Sequence, residues 1–260
     1  MSGVSATYLG QCGFLLEMGG VRIVTDPFLS DYVDKSFFSP ETPWQRLYPP
    51  PVTLRELCPD VLLISHSHGD HMDPWTLKAY YGAGGSCPAA APAPECGPLD
   101  ALGAPVVRAR AESSFSVGEV EITPLPCAHT QLHLDELGRF HELSYLISCK
   151  GTTVFFAGDM SLYDGLEKRL RAARCGLLLL PVNGGDRERT EKGIIGNIDH
   201  RQAAALAAAL NVPYIPMHHD LYGINGCGET DILAAAREAR AEAHLLKPME
   251  TWTLQKEEGS

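Results

Sequence analysis

The sequence predicts an α/β fold, on three observations. Short apolar runs of strand length alternate with helix-like segments along the whole chain. The apolar run Val61-Leu62-Leu63-Ile64 leads directly into His66-Ser67-His68-Gly69-Asp70-His71, which puts a cluster of metal-capable side chains at the end of a buried strand. The length of 260 residues suits one large α/β domain or two small ones. No composition shift marks a boundary and no fixed period marks a repeat, so residues 1–260 read as a single domain.

Thr7-Tyr8-Leu9-Gly10 and the segment 13–18 read as strands, and Gly19-Gly20 turns the chain into a third strand at 21–25 that Asp26-Pro27-Phe28 ends. From 29 to 52 the pattern breaks into Pro, Ser and aromatic residues, among them Phe37, Phe38, Trp44 and Tyr48. An irregular excursion of that length is either a lid or binding loop or a packed surface loop. Pro74-Trp75-Thr76-Leu77 opens a short helix, and the Ala-, Pro- and Gly-rich stretch 83–98 reads as a strand edge followed by a short helix ending at Gly103. Strands are expected at 106–107, 120–124, 143–147, 152–156 and 177–180, with a basic amphipathic helix at 165–173. Asp199 is a suitable N-cap for an Ala-rich helix over 200–210. A strand at 214–216, a helix at 232–243, closing strands near 244–246 and 252–254, and a frayed tail at 256–260 complete the expectation.

Composition narrows the partners. The formal net charge is -11, from 32 acidic against 21 basic residues, and no Lys/Arg cluster stands out against it, so a nucleic-acid partner is not expected. The first residues lack a basic and an apolar signal region, and no run approaches the roughly 18 apolar residues of a membrane span, so a cytoplasmic protein with no membrane partner is expected. The eight cysteines are dispersed without a Cys-x-x-Cys, which argues for reduced thiols rather than a disulfide framework or a zinc ribbon. Cys127 and Cys227 each lie near a candidate site segment.

In an extended segment His66 and His68 leave the chain on the same side, whereas Asp70 and His71 fall at the following turn. One loop can then offer two imidazoles to one cation and a carboxylate plus an imidazole to a second. Such donors suit zinc, manganese or iron, and two close cations suit hydrolysis; the competing reading is a set of solvated loop histidines. The same character recurs at Pro126-Cys127-Ala128-His129-Thr130, at Phe155-Phe156-Ala157-Gly158-Asp159, and at Ile215-Pro216-Met217-His218-His219-Asp220. Gly158 is expected to let backbone and cation approach closely. Singly each segment fits a structural residue; in order, each at a strand end, they point to one site.

An early Asp-Pro after the third strand, His-x-His-x-Asp-His, a separate His, Gly-Asp and a late Pro-x-His resemble the metallo-β-lactamase-fold hydrolases over nearly the whole chain. Asn211-Val212-Pro213, the segment 215–220, and Ala157-Gly158-Asp159 before Tyr163 are most similar to the L-ascorbate-6-phosphate lactonase group. The resemblance implies a four-layer αβ/βα sandwich of two mixed sheets flanked by helices, with the site at the edge between the sheets. It implies that His66, His68 and His129 hold a first divalent cation, that Asp70, His71 and His218 hold a second, and that Asp159 bridges them. Zinc or manganese would fill both places, with iron also open. Asp26 would orient a histidine ligand through its free ring nitrogen. The implied activity is that of a di-metal hydrolase, in which a hydroxide shared by the cations attacks a carbonyl carbon or a phosphorus and Asp70 receives or relays a proton. The implied substrate is small and anionic, a lactone or sugar-phosphate lactone. The segment after His129 departs from the lactonase pattern, so the particular substrate does not transfer.

Other residues stay open between two roles. His219 is a substrate contact or a hydrogen-bonded structural residue. Arg187 and Arg189 suit an anion clamp, because guanidinium binds carboxylate and phosphate bidentately, or belong to a solvated charged loop. His141 reaches the substrate or lies on the surface, and His133 replaces His129 as the ligand if the register is shifted. A phosphodiesterase acting on cyclic nucleotides or small phosphate esters would use the same metal pair, a catalytically silent metal-bound binding module would keep it without turnover, and an oxidoreductase would need iron and a flavin partner. Oligomeric state is not written in the sequence, and a homo-oligomer remains open.

Overall fold

The structure is a computed structural model that describes residues 3–254, so the frayed tail expected at 256–260 lies outside the described residues. Strands β1 (Val4–Gly10), β2 (Gly13–Met18) and β3 (Val21–Thr25) form an antiparallel meander, and the excursion that follows carries a short helix, α1 (Tyr32–Ser36). Next come β4 (Val61–Leu63), α2 (Pro74–Gly82), β5 (Ala89–Pro92), α3 (Gly97–Ala101) and β6 (Val106–Ala109), whose strands run parallel to β3. The chain then crosses to a second sheet with β7 (Phe115–Val117), β8 (Val120–Pro126), β9 (Leu143–Cys149) and β10 (Thr152–Phe156). Helix α4 (Leu166–Ala173), β11 (Leu177–Pro181), α5 (Arg187–Glu191), α6 (His200–Leu210) and β12 (Tyr214–Met217) continue it. Helix α7 (Glu229–Ala239) precedes β13 (Thr251–Leu254), which returns to pair with β1.

The sheets have the orders β13-β1-β2-β3-β4-β5-β6 and β12-β11-β10-β9-β8-β7. Both mix parallel and antiparallel pairs, and helices cover their outer faces, as the resemblance implies. The period-2 alternation of β4 shows how the layers form. Val61 and Leu63 pack between the sheets with Phe14, Tyr145 and Phe155, while Leu62 and Ile64 pack outward with Leu77 of α2 and Leu99 of α3. A strand covered on both faces must be apolar throughout, which is why the run 61–64 is unbroken. On the far side α4, α6 and α7 contribute Leu170, Ala203, Ala207 and Ile232 to the buried cluster, which continues through the second sheet.

Several boundaries differ from the sequence reading. β5 is not an edge: it lies between β4 and β6, and its all-Ala interior carries no strand propensity, so tertiary pairing alone makes it a strand. β7 was not expected. The last helix runs over Glu229–Ala239 and stops where Arg240 takes a left-handed conformation (φ 57°), so it ends short of 243. Residues 244–246 form no strand, and Ala243 makes only a single bridge to Tyr214. Helix α6 spans the expected residues, and Asp199 caps it in a reciprocal capping box with Gln202.

Candidate metal centre

The ends of β4, β8, β10 and β12 meet on one rim of the sandwich, so residues far apart in sequence converge there. Two nests result: His66, His68 and His129 in one, and His71, Asp159, His218 and Cys12 in the other, with ligand atoms within 4.8 Å of one another in each. Asp70 joins the second, its Oδ2 standing 3.5 Å from His71 Nε2 and 3.5 Å from His218 Nε2. Asp159 lies between the nests: Oδ1 is 3.5 Å from His71 Nε2, and Oδ2 is 3.4 Å from His218 Nε2 and 3.8 Å from His129 Nε2.

Buried hydrogen bonds fix which ring nitrogens face inward. Ser65 N–H donates to Asp26 Oδ1 (2.7 Å) and Ser65 Oγ–H to Asp26 Oδ2 (2.6 Å). With its proton so committed, Ser65 Oγ accepts from His66 Nδ1 at 2.9 Å, which leaves the lone pair on His66 Nε2. His71 Nδ1 donates to Asp26 Oδ2 at 2.7 Å, which leaves the lone pair on His71 Nε2. Asp26, fully buried, thus sets both histidines at once. Gly158 has φ 64°, and a Cβ there would stand 2.6 Å from Ser65 Cβ, so the glycine admits the close approach of Ser65.

The charges divide the two nests. Burial and the neighbouring His71 push the His66 imidazole well below its ordinary range. Burial lowers His129 to about 4 even against Asp159. Burial also opposes charge on His71 and His218, but there Asp159 and Asp70 outweigh it, raising His71 well above its ordinary range and His218 to about 9. Asp70 and Asp159 in turn, despite burial, are held well below the ordinary carboxylate range by those histidines. In one nest burial therefore keeps His66 and His129 neutral; the other is a dicarboxylate that draws protons onto its histidines.

Residues 5–218 match the family model described as the beta-lactamase superfamily domain. The chain belongs to that family. Within it, this superfamily chain is similar to a UPF0173 metal-dependent hydrolase of Archaeoglobus fulgidus, 24% identical over 96% of this chain and 99% of that protein. It is also similar to the N-acyl-phosphatidylethanolamine-hydrolyzing phospholipase D 1 of Caenorhabditis elegans, 38% identical over 79 residues. That match takes in 30% of this chain and 21% of the relative, so the chain spans about a fifth of the length of such relatives. Among solved structures, Igni18, a metallo hydrolase of Ignicoccus hospitalis, shares the fold with a TM-score of 0.74 at 20% identity, over 98% of this chain and 100% of that one.

The donor set of this superfamily chain fits divalent cations. Donor atoms about 2.1 Å from a tetrahedral centre stand about 3.4 Å apart, close to the 3.4 and 3.5 Å separations around His218 Nε2 and His71 Nε2. His71 Nε2 is buried with no hydrogen-bond partner, although it faces two carboxylates. A buried polar atom left so is costly unless something else binds it.

A cavity of about 270 Å³ opens onto both nests, reaching His68, Asp70, His129, Asp159 and His218. The excursion expected at 29–52 lies across it and contributes Val33, Phe37 and Trp44. It is tied to the 218–226 segment by Tyr222 Oη donating to Asp34 (2.7 Å) and by Leu47 N–H donating to the Leu221 carbonyl (2.8 Å).

Neither Arg187 nor Arg189 lines this cavity. Arg187 is 91% exposed in its side chain and pairs with Glu191, one helical turn away on the surface. Arg189 turns inward but is spent on Asp186, the Asn183 carbonyl and Asn225, outside the cavity lining. His141 pairs with Glu95 and His133 with Glu142, so neither faces the nests. His219 is buried, stacked on Tyr8 at 6.4 Å, and also outside the lining. Neither of its ring nitrogens has a hydrogen-bond partner among the described residues. Cys127 is buried, with its Sγ donating to the Asp159 carbonyl at 3.0 Å, and Cys227 sits beside His200. All eight cysteines are free.

Three site residues escaped the sequence reading. Gln11 Nε2 donates to Asp70 Oδ2 at 2.7 Å, and Cys12 Sγ lies 3.6 Å from Asp159 Oδ1. Asn225 lines the cavity, and its Oδ1 accepts from Asn183 Nδ2 (2.9 Å) and Arg189 Nη1 (3.3 Å), which leaves its amide N–H₂ as the free donor. Among the described residues no helix is long and apolar enough to cross a membrane.

Proposed function

We propose that this chain is a di-metal hydrolase that opens a lactone or a related small ester. In this reading His66, His68 and His129 hold one divalent cation, Asp70, His71 and His218 hold the other, and Asp159 is shared. The observation that carries it is the donor spacing around Asp159, 3.4 Å to His218 Nε2 and 3.5 Å to His71 Nε2. The family membership and the similarity to a metal-dependent hydrolase support the same reading. Divalent cations in such a site supply a nucleophile at neutral pH and polarise the substrate oxygen; zinc and manganese both suit the nitrogen and oxygen donors.

The protein's own groups do the rest. Asp26 and Ser65 keep His66 and His71 in the tautomers that turn their Nε2 lone pairs inward. Asp70 reaches the cavity with one oxygen held by Gln11, and takes up or passes on a proton at its carboxylate. Asn225 offers its fixed N–H₂ to an oxygen of the substrate.

A phosphodiesterase is the second reading, favoured by the local similarity to a phospholipase D. Initial rates of the zinc- or manganese-loaded protein on a lactone panel and on bis-nitrophenyl phosphate separate the two. Lactone opening is expected; turnover of the phosphodiester alone transfers the assignment to the second reading. Loaded protein inert on both panels refutes hydrolysis.

A further inference from the structure

We infer that the substrate is an uncharged ester or lactone carrying an apolar substituent, and that Val33, Phe37, Trp44, Ile194 and Ile195 form the wall that selects it. The inference rests on the hydrolase reading above and names its substrate class. The cavity has two unlike halves: the nests on one side, and on the other these apolar side chains, drawn from the 29–52 excursion and from the loop that follows α5. Phe37 and Ile195 are 53% and 44% exposed, so they stand at the mouth as apolar surface rather than as core. Exposed apolar surface facing a reactive centre is the usual lining of a ligand site.

No lysine or arginine lines this cavity among the described residues, and its carboxylates are Asp70 and Asp159. The nearby guanidiniums do not line it. Arg189 is held by Asp186 and the Asn183 carbonyl, while Arg46 lies over the Phe28 ring with Nη1 on the Ser30 carbonyl and with Nε and Nη2 buried. A substrate with an anionic group remote from the reacting bond would therefore lose its hydration with no countercharge in return. An apolar group loses nothing by the same transfer. The wall is also built firmly. Asp34 accepts from Arg46 N–H (2.8 Å) and from Tyr222 Oη (2.7 Å), which pins the excursion, and Trp44 packs edge-on against Tyr222 at 5.1 Å. At the neck of the opposite loop Gly185 and Gly196 lie backbone to backbone, where a Cβ on Gly196 would stand 2.2 Å from Gly185 Cα. For size, an apolar cavity of about 150 Å³ holds a benzene ring, so the whole space of about 270 Å³ accommodates a short alkyl or phenyl substituent beside the reacting group.

The test titrates the full-length, zinc-loaded protein with hydroxamic acids, which chelate zinc and leave their tails to the wall. Aceto-, butyro- and hexanohydroxamic acid are compared by calorimetry with the hydroxamic acid of succinic acid, whose tail ends in a carboxylate. Affinity is expected to rise about fourfold for each methylene that reaches the wall, and the carboxylate tail to bind no better than acetohydroxamic acid. Phe37→Ala and Ile195→Ser, both at exposed positions, should flatten the series while leaving acetohydroxamic acid within about twofold. Affinity independent of chain length, or a preference for the carboxylate tail, overturns the wall and leaves the metal reading standing. Failure of every hydroxamic acid to bind overturns the metal reading and the wall with it. The series on the unsubstituted protein decides the matter even if a variant does not fold.

Discussion

Replacing Asp26 with Asn changes one atom of a fully buried carboxylate and should disable the second nest more than the first. Asp26 Oδ2 accepts from His71 Nδ1 (2.7 Å) and Ser65 Oγ (2.6 Å), and Oδ1 accepts from Ser65 N–H (2.7 Å). An asparagine can place its N–H₂ at either position. At Oδ2 it donates to His71 Nδ1 and drives the ring proton to Nε2, the atom that faces Asp70 and Asp159 at 3.5 Å. At Oδ1 it meets the Ser65 N–H, donor against donor. The second placement strands a buried donor at a cost of about 1–3 kcal/mol, and the first puts a proton on the ligand atom; loss of such an orienting partner lowers metal affinity by about 10–100-fold. His66 keeps the Ser65 Oγ as its Nδ1 acceptor, so the ion beside it should suffer less. Stepwise zinc constants, from competition with a fluorescent chelator, read both effects, with thermal melting as the control for folding. Two unchanged constants, or a larger loss at the His66 trio, would refute the role given to Asp26.

Three further outcomes follow from the same geometry. A metal entering the second nest displaces protons from His71 and His218, so its affinity should climb with pH up to about 9, where His218 loses its proton unaided. His66 and His129, which burial lowers, His129 to about 4, should add little proton competition in the first nest over that range; metal titrations across pH compare the two, and equal slopes would count against the charge assignment. Arg187→Ala should leave turnover and KM unchanged, whereas Arg189→Ala, which breaks the contacts to Asp186, Asn183 and Asn225, should lower the melting temperature and raise KM. Gly196→Ala should spread the loop neck, where a Cβ meets Gly185 Cα at 2.2 Å, at a cost of about 1–3 kcal/mol, and should weaken hexanohydroxamic acid more than acetohydroxamic acid.

The residues at the strand ends were legible because each polar, metal-capable side chain interrupts an apolar run, and such interruptions at the ends of buried strands are rare without a reason. Gln11 and Cys12 were not, since they occupy an ordinary-looking turn between two strands and reach Asp70 and Asp159 only through the folded sheet. Asn225 likewise sits on a short 3₁₀ turn whose sequence has no signature, and its orientation comes from Asn183 and Arg189. Of the two readings left open for Arg187, the surface one was legible in Glu191, four residues on, the spacing at which helical side chains pair. His141 could not have been placed from sequence, because its partner Glu95 lies on the other sheet's connection, 46 residues away. In the fold, β5 was misplaced because three alanines and a proline carry no propensity of their own.

Anomalous diffraction at the zinc edge from metal-loaded crystals of the intact chain tests the central claim most directly. Two peaks are expected about 3.5–4 Å apart, one beside His66, His68 and His129, the other beside Asp70, His71 and His218, with Asp159 between them. A single peak, or peaks away from Asp159, would contradict the two-metal account.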